Sequence, residues 1–177
     1  MALAEAILVC LTERPMSGYD LAKNFDASIG YFWRASHQQI YRELGRLREK
    51  GLVNSEEVNQ EGKPNRIIHT LTQEGKIYLR TWSKRPASQP SIKDDLMVKF
   101  YALENMDISA LKEQLLIRVD KHKDLLNRYY RIKEKYYDGK SLDLTQKGKL
   151  IVLEMGIHTE VNNIERIEDS VRKIEQL

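Results

Sequence analysis

The chain has 177 residues, 41% of them hydrophobic and 31% charged, which suits one ordinary domain or two small ones and excludes a fully disordered protein. Its longest apolar run, Ala6 to Leu11, is far below the ~18 residues that suggest a membrane span, and no signal-peptide pattern opens the sequence, so a cytoplasmic place is expected. The net charge of +3 lies in the first 85 residues, with 13 basic and 10 acidic side chains against 16 of each in the remainder, and locally concentrated basic charge favours phosphate partners.

Residues 2–13 place Leu3, Ile7, Cys10 and Leu11 on one helical face, and Arg14-Pro15 breaks the pattern. Ser17 then opens a second helix, with Asp20 at capping-box distance and Leu21 and Phe25 on the buried side. Ser36 and Gln39 make a further capping box, and Gly51 supplies the stop for a third helix over 36–50. Ile40, Leu44 and Leu47 form its apolar stripe. The opposite face carries Gln38, Arg42, Gly45 and Glu49, flanked by Gln39 and Arg46 on one side and Tyr41 on the other. Amides and guanidiniums at a helix N-terminus match what base edges and phosphates require.

Residues 52–58 and 66–71 read as two strands joined by the turn NQEGKP, and 72–84 as a helix capped by Thr72. Three helices, a hairpin and a helix make the order of a winged helix-turn-helix domain over residues 1–84. KRPASQPS, with two of the four prolines, marks a linker over 85–91. Residues 92–177 then read as wholly helical. Helices are expected over 92–103 and 109–137, the latter with Leu111, Leu115, Val119, Leu126 and Tyr130 on a stripe, and from 145 to 176. At ~1.5 Å per residue the 109–137 helix exceeds what so small a domain buries against itself, so it is expected to pack on another chain. In the last helix Leu150, Leu153, Ile157, Val161, Ile164, Ile167, Val171 and Ile174 suggest a coiled-coil-like dimer seam interrupted by Glu160. The expected fold is therefore mainly α with a small β-hairpin, a DNA-binding domain followed by a dimerisation domain.

On PMSGYDLAKNF at 15–25, IGYFWRASHQQIYRELGRLREKGLV at 29–53, LTQEGK at 71–76 with Leu79 and Trp82, and IKDDLMVKFYAL at 92–103, the chain resembles the PadR family of transcriptional regulators. Its length and two long C-terminal helices resemble the subgroup with the larger dimerisation domain. The resemblance implies a homodimer on a palindromic double-stranded operator, usually repressing a neighbouring gene and often released by a small aromatic effector. It makes Tyr41 the family's helix tyrosine at the DNA face, and Lys63, Pro64 and Arg66 its basic wing. The expected DNA surface is Tyr19, Ser36, Gln38, Gln39, Tyr41, Arg42, Arg46, Lys63 and Arg66. Arg42 stands where similar proteins often carry proline, and Glu56, Glu57 and Glu61 dilute the wing, which moves the expected affinity onto the helix.

Several residues admit two readings. Tyr41 is either a phosphate contact or half-buried core, and Lys63 and Arg66 are either DNA contacts or ordinary hairpin charges. Tyr31, Phe32 and Trp33 form either a brace between helices or an effector pocket, where a flat ligand would alter the spacing of the recognition helices. Cys10, the single cysteine, is read as a core thiol rather than a redox sensor. Four scattered histidines show no metal spacing, and no phosphate loop or nucleophile elbow occurs, so no metal, cofactor or catalytic residue is expected. An effector-free activator and a protein-binding adaptor are the alternative functions.

Overall fold

The computed structural model describes residues 3–27, 35–59, 65–87 and 93–177. They belong to two compact units, residues 1–90 and 91–177.

The first unit runs α1 (Leu3–Leu11), β1 (Met16–Ser17), α2 (Gly18–Ala27), α3 (His37–Glu49), β2 (Val53–Val58), β3 (Arg66–Leu71) and α4 (Gln73–Trp82). The apolar stripes of its first three helices meet in one core, where Ile7, Leu8, Leu21, Phe25, Ile40, Leu44 and Leu47 are almost wholly buried. Each such side chain contributes about 1.5–3 kcal/mol relative to exposure. Cys10 lies in this core with 1% of its surface exposed, as its place on the stripe implies. The Tyr78 hydroxyl donates to Glu5 Oε1 at 2.6 Å and ties α4 to α1.

The expected hairpin of β2 and β3 is present, and β1 extends it to a three-stranded antiparallel sheet in the order β1-β3-β2. Met16 pairs with His69 and Ser17 with Ile68 on one side of β3, while Val53 through Val58 pair with Leu71 back to Arg66 on the other. A strand of two residues shows no alternation, so sequence periodicity cannot reveal it.

Both ends of α3 follow the local code. Gln39 N–H donates to Ser36 Oγ at 3.2 Å and Ser36 N–H to Gln39 Oε1 at 2.8 Å. At the other end Gly51 takes φ +70°, with Gly51 N–H bonded to the Arg48 carbonyl and Leu52 N–H to that of Leu47. This Schellman pair needs the left-handed conformation that only glycine adopts at no steric cost.

The second unit contains α5 (Asp95–Phe100), a 3₁₀ turn over Leu103–Asn105, α6 (Ile108–Tyr136) and α7 (Leu144–Ile174). The helix expected over 92–103 is shorter, because Asp94 caps it, accepting from Leu96 N–H at 3.0 Å, and the chain tightens after Tyr101. Lys112 with Glu175, Lys123 with Glu168 and Lys133 with Glu154 pair at 2.7–2.8 Å, an order that makes α6 and α7 antiparallel. Between them Leu111, Leu115 and Val119 pack with Ile164, Ile167, Val171 and Ile174, and Leu96 of α5 joins the cluster.

The 31-residue α7 lies along the 29-residue α6 and covers its Leu111, Leu115 and Val119, while Leu116 and Ile117 stay exposed. The α7 seam is likewise filled from within: Ile157, Ile164, Ile167, Val171 and Ile174 are buried in their own chain, and only Leu150, Leu153 and Val161 remain partly exposed. Tyr130, expected on the α6 stripe, is 48% exposed, and Tyr129 is buried instead. After Leu126 a period of 3.6 requires a step of three residues rather than four.

Arg118 grips Asp94 through both guanidinium nitrogens, at 2.6 and 2.8 Å, and fastens the start of α5 to α6. The hydrogen bond from Arg118 is the main reason the Asp94 carboxyl sits below its ordinary value of 3.8. A depressed carboxyl stabilises the fold above its unfolded pKa, and that contribution disappears as pH falls through the lower folded one. Urea midpoints of the full chain should therefore hold steady from neutral pH to about 5 and decline below about 4. Asp94→Asn should start from a lower midpoint and decline less steeply over that range. An equally steep decline in the variant would assign acid sensitivity to other carboxylates.

Candidate nucleic-acid interface

Because Ile40, Leu44 and Leu47 are held in the core, the other side of α3 must face outward, and Gln38, Gln39, Tyr41, Arg42 and Arg46 are all exposed. Their availability differs. Ser36 spends its hydroxyl as a cap acceptor and Gln39 its carbonyl oxygen on the Ser36 N–H, which leaves Gln39 only its amide donors. Arg46 pairs with Glu43 at 3.1 Å. Gln38 and Arg42 make no such bond among the described residues, and stand outward near the helix N-terminus.

Tyr41 lies on the flank, 51% exposed, with its ring against the start of α2. A Cβ on Gly18 would stand 2.3 Å from the Tyr41 ring, so glycine at this position is what lets the ring lie there. Gly18→Ala should displace Tyr41 and weaken DNA binding about tenfold in an anisotropy titration, one lost contact being worth about 1.4 kcal/mol. Undiminished binding would show that the Tyr41 position does not matter. Tyr19, one residue further, is 62% exposed.

Arg66, expected at the DNA surface, is also bonded within the chain. Its guanidinium bonds Asp20 and also donates to Ser17 Oγ at 3.1 Å. Asp20 N–H in turn donates to Ser17 Oγ at 3.1 Å and the Asp20 carboxylate accepts from Ser17 N–H and Oγ, so the Ser17–Asp20 pair caps α2 while the same carboxylate anchors the first residue of β3. Burial alone would raise the Asp20 carboxyl, but the Ser17 hydrogen bonds and Arg66 outweigh it and hold it below its ordinary value. Lys63, Pro64 and Glu61, and the aromatic run Tyr31, Phe32 and Trp33, lie outside the described residues. Glu56 and Glu57 are exposed on β2, and Asn65 donates to Glu57 at 2.8 Å.

Between α3, the start of α2 and the sheet runs a groove of about 480 Å³, lined among others by Tyr19, Tyr41, Arg48, Ser55 and His69. His69 is only 8% exposed, in agreement with a packing role, and its Nδ1 lies 2.8 Å from Ser55 Oγ. Burial, and then the positive charge of Arg48, pushes its imidazole below the ordinary value of 6.5, so it is uncharged at neutral pH. The sequence reading missed Arg48 and Asp20 as parts of this region. Both act through residues brought in from the sheet, and only the Ser17–Asp20 spacing left a local signal.

A helix with a bare polar face, seated on a core with a sheet beside it, defines the class of winged helix-turn-helix DNA-binding proteins. The chain belongs to the PadR family of transcriptional regulators, which are not enzymes: residues 7–81 match the transcriptional regulator PadR-like family and residues 92–175 the virulence activator alpha C-terminal domain. It is 33% identical to a Mycobacterium tuberculosis protein described as a probable transcriptional regulator, Rv1176c, with 99% of each chain covered. Against the negative transcriptional regulator PadR of Bacillus subtilis identity is 32% over 98% of both chains. The crystal structure of that protein with operator DNA superimposes with a TM-score of 0.85 over 98% of this chain and 99% of that one, and its p-coumaric acid complex with 0.79 over 99% of each. The virulence activator AphA of Vibrio cholerae is 31% identical, with a TM-score of 0.78 over 98% of both chains. Among the described residues no helix is long and apolar enough to cross a membrane.

Proposed function

We propose that the chain is a homodimeric repressor that binds a palindromic operator through α3 and leaves it when a small aromatic acid binds. Residues 1–84 would be the DNA-binding domain, 85–91 the linker and 92–177 the dimerisation domain. The observation that carries the DNA reading is the pair of uncommitted side chains on α3, Gln38 and Arg42, on a face that the buried Ile40, Leu44 and Leu47 turn outward. Tyr19, Tyr41 and the Gln39 amide flank that face, and Lys63 belongs to the proposed wing. Ser36 and Arg66 border that face while also acting as helix cap and sheet anchor.

For the dimer, Leu144, Ile151, Val152 and Met155 leave a large apolar surface exposed along the first half of α7, where a monomer would be expected to show polar side chains. This stripe, with the partly exposed Leu150, Leu153 and Val161 of the seam, is where a second copy would pack. Light scattering at micromolar concentration should give twice the 20.7 kDa chain mass, and Ile151→Glu with Met155→Glu should return it to the monomer value. A wild-type monomer sinks the dimer.

Repression and an aromatic effector rest on likeness to the Bacillus subtilis protein, whose operator and p-coumaric acid complexes share this fold. The likeness to AphA and to the virulence activator C-terminal domain favours a second reading, an activator without effector. A gel shift on the DNA flanking the chain's own gene separates them. Release by p-coumaric acid supports the first reading, and specific binding insensitive to phenolic acids supports the second. Weak binding without sequence preference points to the protein-binding adaptor instead.

A further inference from the structure

The groove behind α3 holds a cation that base reading leaves unused. Of the three arginines on α3, Arg46 is paired with Glu43 and Arg42 stands on the outward face near the helix start. Arg48 stands in the last turn, is exposed, makes no ion pair among the described residues, and lines the groove. Among the described residues no carboxylate lines that groove. The other arginine there, Arg66, is already neutralised by Asp20. Among the described lining residues the net positive charge is therefore that of Arg48, next to an uncharged His69.

Two turns back on the same flank of α3 stands Tyr41, seated by the missing side chain of Gly18, and Tyr19 at the start of α2 lines the groove as well; both phenols are largely exposed. A guanidinium and two phenols lining one open groove, with no carboxylate among its described lining residues, suit a tetrahedral oxyanion, which takes charge-assisted bonds from arginine and hydroxyl donors together. The groove also adjoins the helix proposed to lie in the major groove, and duplex backbone passes along such a helix on both sides.

We propose that this groove seats one phosphodiester of the DNA backbone, held by Arg48 with Tyr19 and Tyr41, and so fixes how α3 lies against the bases. This rests on the reading of α3 as the DNA-contacting helix. A phosphate anchor carries no sequence information, which separates its signature from that of Gln38 and Arg42.

Full-length wild type and the variants Arg48→Gln and Arg48→Lys would be titrated against the DNA flanking the chain's own gene and an unrelated duplex of equal length. Titrations at several concentrations between about 50 and 200 mM salt give the log–log salt slope. Arg48→Gln should bind both duplexes about tenfold more weakly and lose about 0.9 from the slope for each protomer engaged. Arg48→Lys should keep most of the slope. The thermal midpoint should not move, since the Arg48 guanidinium has no partner to lose. An unchanged slope overturns the proposal, and so does a loss confined to the flanking DNA, which would make Arg48 a base reader. Protection of wild type but not Arg48→Gln against thermal unfolding by millimolar inorganic phosphate, with DNA binding equal in the two, would assign the groove to a free anion and overturn it as well. If wild type shows no preference for the flanking DNA, the operator reading fails while the slopes on the unrelated duplex still decide the role of Arg48.

Discussion

Replacing Gln38 and Arg42 together by alanine is expected to lower operator affinity by at least about 100-fold while changing binding to unrelated DNA by no more than about threefold. A bidentate contact from an amide or a guanidinium to a base edge discriminates by about 1–3 kcal/mol, and two such contacts per half-site multiply. The structure singles out these two because of where the other polar groups of α3 are spent. The Ser36 hydroxyl and the Gln39 oxygen close the capping box, and Arg46 lies against Glu43. Neither substitution touches the buried stripe, so thermal stability should move by no more than about 0.5 kcal/mol, as for ordinary surface positions. Anisotropy titrations at one fixed salt concentration provide the comparison. An equal loss on both duplexes would mean that Gln38 and Arg42 touch phosphates, and the reader would have to be sought in Gln39 or the wing.

What the sequence made legible was whatever is decided within a few residues. The third helix could be bounded because its capping box, its stripe and its closing glycine are all local, and each is found in place. The hairpin partner β1 was invisible, because Met16 and Ser17 become a strand only through pairing with Ile68 and His69. Side-chain commitment was hidden for the same reason. Arg66 looks like a free wing cation until Asp20, far off in sequence, is placed beside it, and Arg48 looks like an ordinary solvated charge until the sheet closes a groove next to it.

The α7 seam teaches a different lesson. Its repeat announced correctly that one face is covered, but a repeat does not name the covering partner. One covering partner is inside the chain, since α6 and α7, two long helices of similar length, pack on each other as a hairpin. The apolar residues that this arrangement leaves over, Leu144, Ile151, Val152 and Met155, escaped notice because they lie off the heptad positions.

The same seam yields the largest expected effect on stability. Glu160 interrupts the buried run between Ile157 and Ile164, is itself only 8% exposed, and is bonded to Nδ1 of His122 on α6. Removing one member of a buried polar pair leaves the other without compensation, whereas replacing both by apolar groups of similar shape is often neutral or better. His122→Leu should therefore cost about 2 kcal/mol, at the low end for a buried pair because part of the imidazole reaches solvent. Glu160→Leu should cost less than about 1 kcal/mol, since leucine continues the apolar seam and the His122 ring can still find water at its exposed edge. The double replacement should be at least as stable as wild type, which makes the coupling between the two sites strongly non-additive. Urea unfolding of the full chain followed by far-ultraviolet circular dichroism, to which α6 and α7 contribute most of the signal, measures all four proteins. If Glu160→Leu were the damaging change and His122→Leu were harmless, the carboxylate would be answering to a group other than His122, and the face of α7 around Glu160 would have to be searched for it.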